Sequence, residues 1–184
     1  WGVHDDLDFF PGMRGVEVPD GVEVVCPGLV GMPGMDGLPQ MSQVVRARVV
    51  RPEVPVVCMD MMGMPYEVYV ARLCGADAVI VVADVLSRED IEYFVKVAKS
   101  AGVLGIVEVH SREQLEAAMG IKGMEAVLVA ARNYETLEFV KMESLEGVVG
   151  GMAPREDVLV FMTDKDDHAE MDEAWKPHAV FKHA

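Results

Sequence analysis

The chain has 184 residues, 51% of them hydrophobic and 7% aromatic, enough for one sizeable core and hardly for two, so one domain is the default. Its formal net charge of −15 argues against direct binding to nucleic acid or anionic lipid, because neither field rewards a negative partner. No apolar run reaches the roughly eighteen residues of a membrane span, and three cysteines, Cys26, Cys58 and Cys74, are too few and too scattered for a disulfide framework or a Cys-x-x-Cys metal site.

The chain opens at Trp1 rather than methionine, so an upstream segment, such as a targeting peptide, is expected to have been cleaved or left out. Residues 1–21 read as an arm: Asp5, Asp6 and Asp8 are acidic, and Pro11, Gly12, Gly15, Pro19 and Gly21 oppose a helix. Pro19-Asp-Gly21 is a turn signal between Val16-Glu-Val18 and Val22-Glu-Val-Val25, which permits a small hairpin. Residues 22–184 then form the main domain.

Apolar, β-branched runs recur along it at Val22–Cys26, Val54–Cys58, Ala78–Ala83, Gly105–His110, Ala126–Ala131, Val158–Met162 and Ala179–Phe181. They do not alternate, which is how strands covered on both faces of a parallel sheet read. Helix signals lie between them. Pro65 suits a first turn, Tyr66, Tyr69 and Leu73 make one face, and Gly75 ends it. Ser87-Arg-Glu-Asp90 resembles a capping box and precedes Ile91, Phe94, Val95 and Ala98 at helical spacing up to Gly102. Ser111-Arg-Glu-Gln114 is a full capping-box match ahead of Leu115, Ala118 and Met119, closed by Gly120. Asp164 is placed to cap a last helix through Met171 and Trp175, stopped by Pro177. This alternation specifies a parallel α/β fold and leaves both a barrel and an open doubly wound sheet standing.

Particular residues narrow the choice. Pro55-Val-Val-Cys-Met-Asp60, Tyr66-Glu-Val-Tyr-Val-Ala-Arg72, Gly75 to Ala83 with Leu86, Val107-Glu-Val-His110 and Arg132-Asn-Tyr-Glu-Thr-Leu-Glu-Phe139 resemble, in order and spacing, the central block of indole-3-glycerol-phosphate synthases. The match covers about Val54 to Phe139 well and the flanks weakly. Gly120-Ile-Lys-Gly-Met-Glu125 is similar to the plant and algal version, which implies a chloroplast. The resemblance implies a (β/α)8 TIM barrel with its site at the carboxyl ends of the strands. It also implies a reaction that decarboxylates and ring-closes a carboxyphenylamino-deoxyribulose phosphate in tryptophan synthesis. That reaction needs a lysine acid, a carboxylate for proton traffic and polar groups that hold the anion.

Against that pattern the chemical set is depleted. Met59 stands where the family carries the acid lysine after its third strand, and a thioether donates no proton. Ala130 and Ala131 replace two asparagines ahead of the retained Arg132. Thr163 and Asp164 stand where Glu-Ser-Gly should open the phosphate cradle, and an acidic side chain there opposes phosphate. Phe181-Lys-His-Ala184 lacks the glycine turn of the eighth strand, and strand two ends in Cys26-Pro-Gly without the family's lysine. The first strand has no clear counterpart, so the barrel is expected to be incomplete, with that strand missing or replaced by the hairpin. An uncovered sheet edge invites a partner chain.

Glu108 and Arg132 are the family remnants, and the expectation is a structural ion pair between neighbouring strand ends with no catalytic residue at work. Met59, Met61, Met62 and Met64 crowd the expected mouth, either as an adaptable partner-docking surface or as a plug in a vacated cavity. The acidic run from Asp164 to Glu173 around His168 lacks the glycine and spacing of a calcium loop and reads as a solvated helix face. His4, His110, His178 and His183 show no ligand spacing, so no metal and no cofactor are assigned.

The favoured expectation is therefore a non-catalytic pseudoenzyme, an acidic barrel acting as a structural or assembly subunit among the proteins of a larger complex. A repurposed small-molecule-binding barrel and an active synthase are the alternatives. A polar pocket beside Glu108 favours the first alternative. A mouth filled by Met59, Met61 and Met62 counts against it.

Overall fold

The structure is a computed structural model and describes residues 39–50, 52, 54–59, 61–130, 148–149, 152, 155–163 and 179–181. The expected arm, the run Val22–Cys26 and the expected helix from Asp164 to Trp175 lie outside the described residues.

Along the chain the elements are α1 (Pro39–Val50), β1 (Val57–Cys58), α2 (Tyr66–Leu73), β2 (Ala78–Val82), α3 (Arg88–Ala101), β3 (Leu104–Val109), α4 (Arg112–Met119), β4 (Ala126–Val129), β5 (Leu159–Thr163) and β6 (Ala179–Phe181). The six strands form one sheet in the order β1-β2-β3-β4-β5-β6, and every neighbouring pair is parallel. A doubly wound sheet reverses its strand order partway; this one advances by one strand at each step, which is the winding of a (β/α)8 barrel.

Two apolar layers explain the unbroken hydrophobic strands. Val57, Ile80, Leu104, Ile106, Leu128 and Phe161 meet on one face of the sheet, the inside of the barrel wall. Val79, Val81, Val107, Val127 and Val160 meet the helices on the other, through Val68, Ala71, Phe94, Val95 and Leu115. With both faces covered, alternation has no reason to appear.

Helix starts follow the sequence signals. Ser87 caps α3 by accepting from Asp90 N at 3.2 Å. Ser111 and Gln114 form a reciprocal capping box at α4. Gly102 closes α3 in the left-handed conformation, with φ of 71°. Gly120 does not close α4 that way: its φ is −78°, and the left-handed glycine of that connection is Gly123, at 84°. Tyr66, Tyr69 and Leu73 do share a face of α2, but it is the solvent face. Val68 and Ala71 are the buried residues there, while Leu73 is 87% exposed.

Helix α1 has no anticipating signal. It buries Met41 and Val44, lacks acidic residues in its first turn, and is tied to the sheet by Arg48. That guanidinium donates to Gly75 O at 3.0 Å and Pro52 O at 2.8 Å, and it pairs with the carboxylate of Asp77. Asp77 is only 2% exposed and also accepts from Val56 N at 2.9 Å. One buried carboxylate at the entrance of β2 thus anchors α1, the approach to β1 and the end of α2.

Candidate functional site at the carboxyl ends of the strands

Parallel barrels present their chemistry where the strands end, because the connecting loops gather there. The strand register locates Glu108 at that end. It lies in the row Val82, Glu108, Leu128, Phe161 and Ala179, the one charge in an apolar ring. The side chain is 3% exposed, so its carboxylate depends on protein partners rather than water.

His110 supplies one. Two residues further along the chain, just past the end of β3, it points to the same side, and its Nε2 lies 3.2 Å from Glu108 Oε1. His110 Nδ1 lies 2.8 Å from Asp84 Oδ2, at the exit of β2. Gln114 completes the chain: its amide nitrogen donates to Asp84 Oδ1, while its oxygen accepts from His110 N at 2.7 Å and Ser111 N at 3.2 Å. A polar file therefore runs from Glu108 inside the barrel through His110 and Asp84 to the N-terminus of α4.

Around it the mouth is apolar. Met59 is half-buried and packs on the inner layer, and Ala130, just past β4, is buried in that layer. The four mouth methionines separate by role. Met62 is buried in the layer between sheet and helices, whereas Met61 and Met64 are exposed. Their loop is fixed by Glu67, whose carboxylate accepts from Gly63 N at 2.8 Å and Met64 N at 2.7 Å. Thr163 ends β5, while Ala131, Arg132 and Asp164 lie outside the described residues. The expected pairing of Glu108 with Arg132 is outside them too; among the described residues Glu108 meets His110. Among the described residues, no group of three or more His, Cys, Asp or Glu side chains is arranged to hold a metal ion, and no helix is long and apolar enough to cross a membrane.

Sequence reasoning passed over Asp84, His110 and Gln114. The signal was present: Glu108 and His110 are two apart in the run Gly105–His110, hence on one side, and Gln114 was read only as a cap.

The model of the indole-3-glycerol phosphate synthase family matches residues 35–176, from before α1 to beyond β5. The chain belongs to that family. No curated protein matches it. Among solved structures it is similar to KGPDC from Streptococcus mutans, at 11% identity and a TM-score of 0.54 over 78% of this chain and 69% of that one. It is also similar to 3-hexulose-6-phosphate synthase from Salmonella typhimurium, at 17% identity and a TM-score of 0.50 over 77% and 69%. At such identities the likeness speaks for the barrel fold alone.

Proposed function

We propose that this member of the indole-3-glycerol phosphate synthase family is non-catalytic and acts as a structural or assembly subunit of a larger protein complex. The observation that carries the reading is Met59, set against the inner layer at the mouth, where the family's pattern has its lysine acid. Ring closure needs a proton delivered there, and a thioether has none to give. The described lysines do not substitute. Lys96 and Lys99 lie on α3, paired with Glu92 and Glu125, and Lys122 lies in the α4–β4 connection at the opposite end of the barrel.

Ala130 adds support, since a methyl group offers no hydrogen bond to an anionic substrate. Glu108 is engaged by His110 within the protein. The likeness of Gly120-Ile-Lys-Gly-Met-Glu125 to the plant and algal version supports a plastid location, stromal or facing the stroma, which fractionation of the source cells tests.

The test is direct. The full chain, isolated under mild conditions from its source, is assayed for conversion of carboxyphenylamino-deoxyribulose phosphate and sized by native electrophoresis. Migration in a large complex without turnover is expected, and a free chain that turns over the substrate would sink the proposal. The polar file from Glu108 to Asp84 favours a second reading, a barrel repurposed to bind a small molecule. A metabolite that co-purifies and raises the melting temperature would select it.

A further inference from the structure

His110 has a carboxylate at each ring nitrogen. Nε2 lies 3.2 Å from Glu108 Oε1, and Nδ1 lies 2.8 Å from Asp84 Oδ2. The two acids come from different strands, and Gln114 sets the direction of the bonds around them. Its oxygen is taken by the His110 and Ser111 amides, which only donate, so its amide nitrogen faces Asp84 and Asp84 Oδ1 accepts.

Protons can then be counted. An ionised carboxylate only accepts, and a neutral imidazole donates from one nitrogen alone, so a ring that satisfies both acids is the imidazolium. Any further donor to either acid favours its ionised form and leaves the count unchanged. When the ring gives up a proton, one nitrogen turns a lone pair toward a carboxylate oxygen, and burial decides which. Glu108 is 3% exposed and draws little help from water, whereas the Asp84 side chain is 29% exposed and keeps Gln114. The Nδ1 contact is also a close approach of charge and not an in-line hydrogen bond. Nε2 therefore keeps its proton, and the contact to Asp84 is the one that fails.

Other groups among the described residues bear on the ring's charge. Glu113, in the first turn of α4, favours the cation, the amides that open α4 oppose it, and Arg112 is taken by Glu116. From α3, Arg88 shares a cleft with Gln114, and from β4 the uncharged Ala130 bonds back to Val109 O at 3.0 Å.

We propose that His110 is a proton-dependent latch between two turns at the barrel mouth. Charged, it ties Asp84, which leads from β2 to α3, to Glu108 near the end of β3. Neutral, it holds Glu108 alone and leaves the turn 83–87 to loosen. Histidine changes charge between about pH 5 and 8, so the turn tightens on the acid side and loosens on the alkaline side. The latch stands apart from the assembly reading and holds whether or not a complex forms.

The experiment uses the full chain labelled with 15N, at about pH 6 and about pH 8.5, toward the two ends of that range. Ring nitrogen shifts report the charge and tautomer of His110. Amide exchange, corrected for its intrinsic dependence on pH, reports the turn at Val85 and Asp90, with α2 as internal reference. The expected result is an imidazolium at the lower pH and a ring protonated on Nε2 at the higher. Protection at Val85 and Asp90 then falls about threefold or more while α2 is unchanged. His110→Gln carries no charge at either pH and Asp84→Asn removes the ring's outer counterion, so both are expected to lose the trend. A ring that is neutral at the lower pH, charged at the higher, or protonated on Nδ1 when neutral overturns the latch. So does a ring that titrates as expected beside a turn whose protection does not change. These readings on the wild-type chain decide the outcome even where a variant fails to fold.

Discussion

Single residues decide how tightly the entrance of the sheet is held. Asp77 is a buried carboxylate that receives Arg48 and the Val56 amide, so truncating it leaves the guanidinium without its counterion and the amide without its acceptor. Asp77→Ala is expected to lower unfolding free energy by about 3 to 5 kcal/mol, read from urea denaturation. Asp77→Asn keeps an oxygen for Val56 and loses less. Arg155 acts similarly beside β5: it donates to Met119 O and Ile121 O, each at 3.1 Å, and to Asp157, tying that strand's approach to the end of α4. The hydrogen bond from Arg155 is the main cause that holds the Asp157 carboxyl below its ordinary 3.8. A carboxyl depressed in the folded state stabilises at pH above its unfolded value, and that contribution fades as pH falls through the folded one. Carboxyl titration by NMR is expected to show Asp157 moving up toward 3.8 in Arg155→Ala.

At the scale of elements, caps and glycines place the helices. Ser111→Ala removes half of the α4 capping box and is expected to lower stability by about 1 kcal/mol. Gln114→Ala should lower it more, because the same side chain caps two backbone amides and holds Asp84. Amide hydrogen exchange distinguishes the two, with faster exchange at His110 and Ser111 in the glutamine variant. Gly75→Ala meets both obstacles at once, a φ of 102° and the Arg48 side chain, and is expected to destabilise by more than about 1 kcal/mol in thermal unfolding. The caps at Ser87 and Ser111 were legible because they are local chemistry, a hydroxyl reaching an amide three residues on. Helix α1 was not legible. Among the described residues its buried side chains are Met41 and Val44, and one anchor is an arginine whose partner lies 29 residues away.

For the whole molecule, the lack of turnover proposed above is expected to survive repair of one position. Met59→Lys should restore a cation at the mouth without activity, since Ala130 still offers the substrate no hydrogen bond. Measurable ring closure by that variant would show that the missing lysine was the sole defect. The strand sequence of the family was readable in the order of its motifs, so the runs at Ala78, Gly105, Ala126, Val158 and Ala179 all appear as strands within one or two residues.

What the sequence determined by itself was the set of short-range facts: which runs are buried on both faces, where helices begin, and which chemical groups stand at the family's positions. Periodicity reaches only as far as one element, so it left barrel and open sheet equal until the strand order was known. Tertiary structure alone decided the rest. It turned Tyr66, Tyr69 and Leu73 to solvent, separated Met62 from Met61 and Met64, and joined Glu108 to His110 and Asp84 across two strands. Those outcomes depend on which neighbour each side chain meets, and a neighbour distant in sequence is chosen by packing, not by local pattern.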